Sequence, residues 1–420
     1  MRRLIALGAT LLLVATACDN VPFLSSGGNQ RTVLVDFSHD EYAGLFLKNF
    51  PRKVTVAQGD EILFRQTWTG EPHSVTGGTL VDQLMNEVEP FLDAADKGEP
   101  IPDEPPEEVI KLEENVPFAF EEDGLNQTAS QPCYLADGKP RKDGKPCGSA
   151  QQEQPDFDGT HTYYNSGVIP YEGPAGNEYR VKFADDVKPG DYWFYCNVHG
   201  ELQSSKVTVK PAGSEIPSQA EVSRQARKEI DQMANPLLKV FRDAQDRRIS
   251  LDVPEGGGPP TPNGGPSPAQ KLDIRGNFAG LFSPEVEFAA INEMIPGTIR
   301  VKSGEEITWN LIGWHSISFG VPRYFPPLQF LENGTVQLNP KLEPAAGGAK
   351  KFDVPDEDRY GGRPDPLVFD GGTYDGTGFW SSGMIDAEPY IEYSMRIAKP
   401  GTYDYACLVH PPMVGKVIVT

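Results

Sequence analysis

Three residues near the end of this chain could do chemistry together: Cys407, His410 and Met413, in the stretch YDYACLVHPPMVGKVIVT (403–420). Their spacing is Cys-x2-His-x2-Met, on a loop that runs into an alternating apolar strand at 417–419. Thiolate, imidazole and thioether are soft donors that suit copper, and two His and one Cys with a weak axial Met make a blue-copper type of site. The loop supplies one His, so a second must come from elsewhere. Without it, the stretch reads as a buried Cys and Met packing a core strand beside an incidental His.

The same loop occurs earlier, as GDYWFYCNVHGELQSSKVTV (190–209). Both copies hold Cys-x2-His, at Cys196/His199 and Cys407/His410. Both place a Gly six residues before the Cys, at Gly190 and Gly401, and a Tyr two residues after that Gly, at Tyr192 and Tyr403. Further upstream, FDGTHTYYNSGVI (157–169) matches FDGGTYDGTGFWSSGMI (369–385), and DEYAGLF (40–46) matches GNFAGLF (276–282). A whole unit repeated at long period means two copies of one domain.

These loops need elements to position them. RKVTVAQGDEILF (52–64) reads as two short strands around a Gln-Gly-Asp turn, and TIRVKSGEEITW (298–309) as its counterpart. After each pair comes a His that precedes Ser and a β-branched residue: His73 in EPHSV and His315 in GWHSI. They stand more than ninety residues upstream of their Cys-x2-His loops, which fits a sandwich whose early and late strands become neighbours. Each copy also carries an insertion. One is acidic and Pro-containing at 80–156, with a helix expected at 80–95 and mostly loop beyond; the other, at 322–368, is shorter. Residues 215–249 have helical spacing, with Pro236 expected to break the helix in two, and 253–268 reads as a Gly/Pro linker.

With these His in place, both copies resemble cupredoxins of the plastocyanin/azurin type. The carrying residues are His73, Cys196 and His199 in one, and His315, Cys407, His410 and Met413 in the other, with MVGKVIV (413–419) close to that family's usual last strand. The resemblance covers the strand regions, not the insertions, helix or linker. It implies an all-β chain of two tandem Greek-key β-sandwiches, one type 1 copper in each, and one-electron transfer through Cu(I)/Cu(II) rather than catalysis. The first copy departs from the pattern at the axial place. Counted forward from His199, the residue matching Met413 is Leu202; counted back from the shared Lys-Val of the last strand, it is Gln203. Leu cannot ligate and a Gln carbonyl oxygen can, so Gln203 is favoured over Leu202. Multicopper oxidases and copper nitrite reductases also pair such domains, but a His adjoins their ligand Cys. Here Tyr195 and Ala406 stand in that place, and only His39 and His161 are left over. No Cys-x2-Cys-His haem attachment occurs. The alternative to an electron carrier is copper storage or delivery, with a copper oxidoreductase behind it.

The 420 residues carry a net charge of −22, which argues against nucleic acid or anionic lipid as partners and permits steering toward a basic protein surface. The opening MRRLIALGATLLLVATACDN has Arg2 and Arg3, an apolar run and small residues before Cys18. It resembles a bacterial lipoprotein signal, with Cys18 as the lipidated first residue of the mature chain. No later apolar run approaches the ~20 residues of a transmembrane helix. The chain is therefore expected at the extracytoplasmic face of the cell membrane, held by its lipid anchor. There it would serve redox protein partners such as a membrane electron-transport complex, a cytochrome or an oxidase. In that oxidising compartment Cys133 and Cys147, in CYLADGKPRKDGKPC, are expected to form a disulfide. The domain plan is a signal peptide at 1–17 and a tether at 18–30. A first cupredoxin-like domain at 31–211 follows, then a helical segment and linker at 212–269 and a second domain at 270–420.

Overall fold

The computed structural model describes residues 29–37, 39, 41–66, 71–97, 99, 105–121, 124–130, 154–169, 178–253, 269–283, 286–321, 328–331, 336–342 and 368–420. Cys18, Cys133, Cys147, the opening stretch expected to be a signal and the Gly/Pro stretch at 254–268 lie outside them.

Residues alternate between core and solvent at Glu178–Lys182 and Val414–Val419, as half-buried sheets require, while Gln30–Leu34 and Gly190–Cys196 bury consecutive residues. In the first half the strands are β1 (Gln30–Leu34), β2 (Gly44–Phe46), β3 (Lys53–Ala57), β4 (Glu61–Arg65), β5 (Thr76–Gly77), β6 (Tyr164–Asn165), β7 (Glu178–Lys182), β8 (Gly190–Cys196) and β9 (Gly200–Lys210). They form sheets in the orders β1-β4-β7 and β3-β9-β8-β5-β6. Val33, Ile62, Phe64 and Val181 of one sheet meet Val54, Val56, Phe194 and Val207 of the other in a single core. Helix α1 (Thr79–Ala95) opens the insertion and buries Val81, Leu84, Met85, Val88 and Leu92 beside Trp193 and Tyr195.

Helix α2 (Gln219–Gln245) and the hairpin β10 (Arg248–Val253) with β11 (Gln270–Arg275) follow. The second half then holds β12 (Asn277–Ser283), β13 (Val286–Ile295), β14 (Thr298–Val301), β15 (Glu306–His315), β16 (Ser318–Phe319), β17 (Val368–Tyr374), β18 (Trp380–Ser381), β19 (Ile385–Ile397), β20 (Gly401–Ala406) and β21 (Val414–Val419). Its sheets run β2-β13-β12-β15-β19-β17 and β14-β21-β20-β16-β18. The two halves share a topology. β3 pairs parallel with β9 as β14 does with β21, and β1 pairs parallel with β4 as β12 does with β15. The chain is thus all-β in character, built from two sandwiches in which early and late strands are neighbours.

Two local expectations are corrected. Helix α2 runs unbroken through Pro236. Proline there removes one N–H and crowds the carbonyl of Gln232, at about 3 kcal/mol. The buried stripe of Val222, Ala226, Ile230, Ala234 and Leu237 spans both sides of the proline, and each fully buried Ile or Leu offsets ~1.5–3 kcal/mol. A capping box at Ser218 and Glu221 fixes the start of the helix. Second, DEYAGLF and GNFAGLF are not equivalent in space. Within DEYAGLF, β2 crosses over and pairs antiparallel with β13, setting Phe46 opposite Ala289 and Gly44 opposite Ile291. The true counterpart of β12 is β1: Val33 lies opposite Phe64 as Asn277 lies opposite Trp309.

This crossing strand joins the halves. Phe37, Tyr42, Phe46 and Phe50 form one core with Ala226, Ile230 and Leu237 of α2 and with Phe278, Leu281 and Ile291 of the second sandwich. The Tyr42 hydroxyl donates to the Ala234 carbonyl at 3.1 Å, and the Ala43 N–H to Glu293 Oε1 at 2.7 Å. Among the described residues no helix is long and apolar enough to cross a membrane.

Candidate metal centres

In the first sandwich Cys196 ends β8 and in the second Cys407 directly follows β20, with the His on the loop just beyond. The upstream His comes in beside them because β5 pairs with β8, and β16 with β20. His73, Cys196 and His199 therefore converge at one place, and His315, Cys407 and His410 at another, with the donor atoms of each set within 4.8 Å of one another.

In the first cluster His73 Nδ1 and His199 Nδ1 are 3.1 Å apart, and Cys196 Sγ is 3.6 Å from His199 Nδ1. Gln203 Oε1 lies 3.0 Å from both imidazole nitrogens, while its amide donates to the Val35 carbonyl. Leu202 instead packs against the apolar cluster that α1 forms with Trp193 and Tyr195. Of the two residues the loop length left open, Gln203 is the one that reaches the cluster. In the second cluster His315 Nδ1 and His410 Nδ1 are 3.1 Å apart, and Cys407 Sγ is 3.4 Å from His410 Nδ1. Met413 is fully buried and closes the loop through the Cys407 N–H to Met413 carbonyl bond at 3.0 Å. His39 stacks on Tyr42, and His161 pairs with Asp158 at 3.0 Å; neither joins a cluster.

The charge pattern suits thiolate donors. Burial pushes each thiol up. His199 and His73 outweigh it at Cys196, and His410 and His315 at Cys407, so both sit well below the ordinary range. Burial lowers His315. It would also lower His73 and His410, but Asp36 with Cys196, and Cys407 with Glu71, raise these two to about 10.

Four groups beyond the donor sets were not singled out from sequence. Ser74 and Ser316 follow the upstream His and latch the Cys loops: the Asn197 N–H donates to Ser74 Oγ at 2.8 Å, and the Leu408 N–H to Ser316 Oγ at 3.0 Å. The repeated His-Ser pair was their visible signal. Asp36 is buried, with Oδ2 3.0 Å from His73 Nε2. A proton on Nε2, donated to Asp36, leaves Nδ1 free as a donor atom. Glu71, also buried, contacts His410 Nε2 in the same way, but from the other sandwich. No local sequence pattern marks either carboxylate, because each is placed by long-range packing.

Fold and clusters together define an all-β protein whose two sandwiches each gather a soft Cys/His donor set at one end. Solved structures similar to the chain are cupredoxins. A variant of amicyanin in its Cu(I) form is 18% identical over 30% of this chain and 73% of that one, with a TM-score of 0.16. A purple cupredoxin from Nitrosopumilus maritimus is 15% identical over 31% and 83%, TM-score 0.16. A mutant fern plastocyanin is 18% identical over 31% and 89%, TM-score 0.16. No family model matches the sequence, and no curated protein is similar to it.

Proposed function

We propose that the chain is an extracytoplasmic electron carrier holding one type 1 copper in each sandwich, rather than an enzyme. The observation that carries this reading is the same donor set, one Cys Sγ and two inward-turned His Nδ1, built twice by the same topology. The residues fit the ion: thiolate and imidazole select copper over hard cations, the Gln203 carbonyl oxygen lies beside the first donor set, and Met413 would be the weaker axial donor of the second. Bound copper would supply one-electron chemistry. The chain's own part is to hold the donors in place, through the Ser74 and Ser316 latches and the Asp36 and Glu71 carboxylates, and to bury the second set fully and the first except for an edge of His199. The lipid anchor at Cys18 and an encounter with a basic protein partner belong to the same reading, supported by the opening residues and the net charge of −22.

The test is to load the mature chain with Cu(II), count copper and record the visible spectrum. Two coppers per chain are expected, with thiolate absorption that bleaches and returns over redox cycles. Cys196→Ala and Cys407→Ala should each remove one centre and leave the other. Full intensity in Cys407→Ala would overturn the ligand assignment. Copper that binds but does not cycle would favour storage or delivery.

A further inference from the structure

Glu71 belongs to the first sandwich and serves both clusters. Its carboxylate bonds His410 Nε2 of the second cluster, and its other oxygen lies 4.0 Å from His199 Nε2 of the first. The Glu71 side chain is 7% exposed, that of His410 3% and that of His199 15%. The residue is fixed from its own side as well, since Gln66 Nε2 donates to its carbonyl at 2.5 Å. The outer edge of His410 is therefore turned to the neighbouring sandwich and not to solvent. The shared core around Phe46, Leu237 and Ile291 holds that neighbour in place.

We infer that Glu71 joins the two donor sets into one two-centre unit. It positions His410 from across the interface and gives a short internal route, His199–Glu71–His410, for one electron to pass between the centres. This rests on the copper reading above. The step balances simply: as one centre is oxidised by one electron the other is reduced by one, no bond forms or breaks, and no proton moves. External one-electron donor and acceptor proteins then complete the cycle. The buried negative charge favours the more positive oxidised state at both centres, more at the second, where contact is direct.

The test uses the full mature chain with Glu71→Ala and Glu71→Gln, counting only molecules that hold two coppers. A flash of photoreductant should reduce a fraction of the centres. Redistribution between the two thiolate bands is then followed. The wild type should relax in a process independent of protein concentration. Glu71→Ala should slow it roughly tenfold or more. Glu71→Gln, which keeps the shape and loses the charge, should relax nearly as fast while raising the potential of the second centre more than the first. Concentration-dependent relaxation in the wild type, or unchanged relaxation and potentials in both variants, overturns the inference. A second readout needs no copper. In the metal-free chain, diethyl pyrocarbonate should leave His410 unlabelled in the wild type and label it in Glu71→Ala. Labelling of wild-type His410 at the rate of free histidine would show the contact absent. A chain that bound no copper would refute the electron-carrier reading, while this labelling would still decide the contact.

Discussion

Gly280 allows a direct test of how the second centre is built. In the register that pairs Val33 with Phe64 and Asn277 with Trp309, Gly280 occupies the place that Asp36 holds in the first sandwich. Asp36 reaches His73 there with a carboxylate; Gly280 instead lets the ring of His315 lie against the backbone. A Cβ at Gly280 would overlap His315 Nε2 and stand 2.5 Å from its Cδ2 and 2.6 Å from the Ile312 carbonyl oxygen. Its φ of +79° adds strain for any L side chain. Gly372 has the same φ of +79° with nothing within 4 Å of its would-be Cβ, so it separates the two effects. Left-handed backbone costs Ala ~1–2 kcal/mol at either place, and overpacking adds ~1–3 kcal/mol at Gly280 alone. If His315 moves to relieve the collision, that second part appears as copper affinity lost at the second centre, roughly 5- to 150-fold. Copper titration against a competing chelator, with the two thiolate bands followed separately, measures it. Gly280→Ala should weaken the second centre and leave the first; Gly372→Ala should lower thermal stability and leave both affinities alone. Wild-type copper affinity at both centres in Gly280→Ala would refute the claim that this glycine makes room for His315.

Three further outcomes are expected. The harder Gln203 oxygen favours Cu(II), so the first centre should have the lower potential and pass electrons to the second; a redox titration should show two waves that Gln203→Met brings closer together. Burial pushes Asp82 up to about 7, against the Trp193 N–H that it accepts. The folded state thus keeps a proton that the unfolded chain releases near 4, so stability falls as pH rises from about 4 to 7. Asp82→Asn should melt higher than wild type at pH 8, by a few kcal/mol at most, with the gain vanishing at pH 4, and parallel melting curves across that range would contradict it. Finally, Cys133 and Cys147 should resist alkylation in the unreduced secreted protein, and breaking their bond should cost roughly 3 kcal/mol; mass measurement of two free thiols would rule the bond out.

Local pattern carried much of this molecule. Alternation in RKVTVAQGDEILF and TIRVKSGEEITW marked the strand pairs, and the helix expected at 80–95 forms at Thr79–Ala95. The donor sets were legible because the chain repeats them, so each copy checks the other. Pro236 misled because proline's local cost was outweighed by a buried stripe visible only once α2 has something to lie on. DEYAGLF misled because two similar segments ended in one sheet, at β2 and β12 on either side of β13. Neither outcome is written in the segment itself; both follow from the docking of one sandwich on the other.

The two copies differ most where each His is held from outside. Two residues before His73 stands Glu71; two residues before His315 stands Gly313. Asp36 faces Gly280 in the same comparison. At both positions the first copy has a buried carboxylate and the second a glycine, with φ of +93° at Gly313 and +79° at Gly280. A carboxylate can orient an imidazole by hydrogen bonding and adds negative charge beside the centre. A glycine can only orient it by letting the ring approach the backbone. The second sandwich thus brings no carboxylate of its own to these two places, and the one that reaches its His410 is Glu71 of the first. Charge that a symmetric pair would have divided evenly is concentrated in one copy and shared across the interface. The asymmetry of potential expected from Gln203 and Met413 is therefore set within a site whose outer partners are already unequal. A variant that equalises the axial residues alone should narrow the difference between the two centres without removing it.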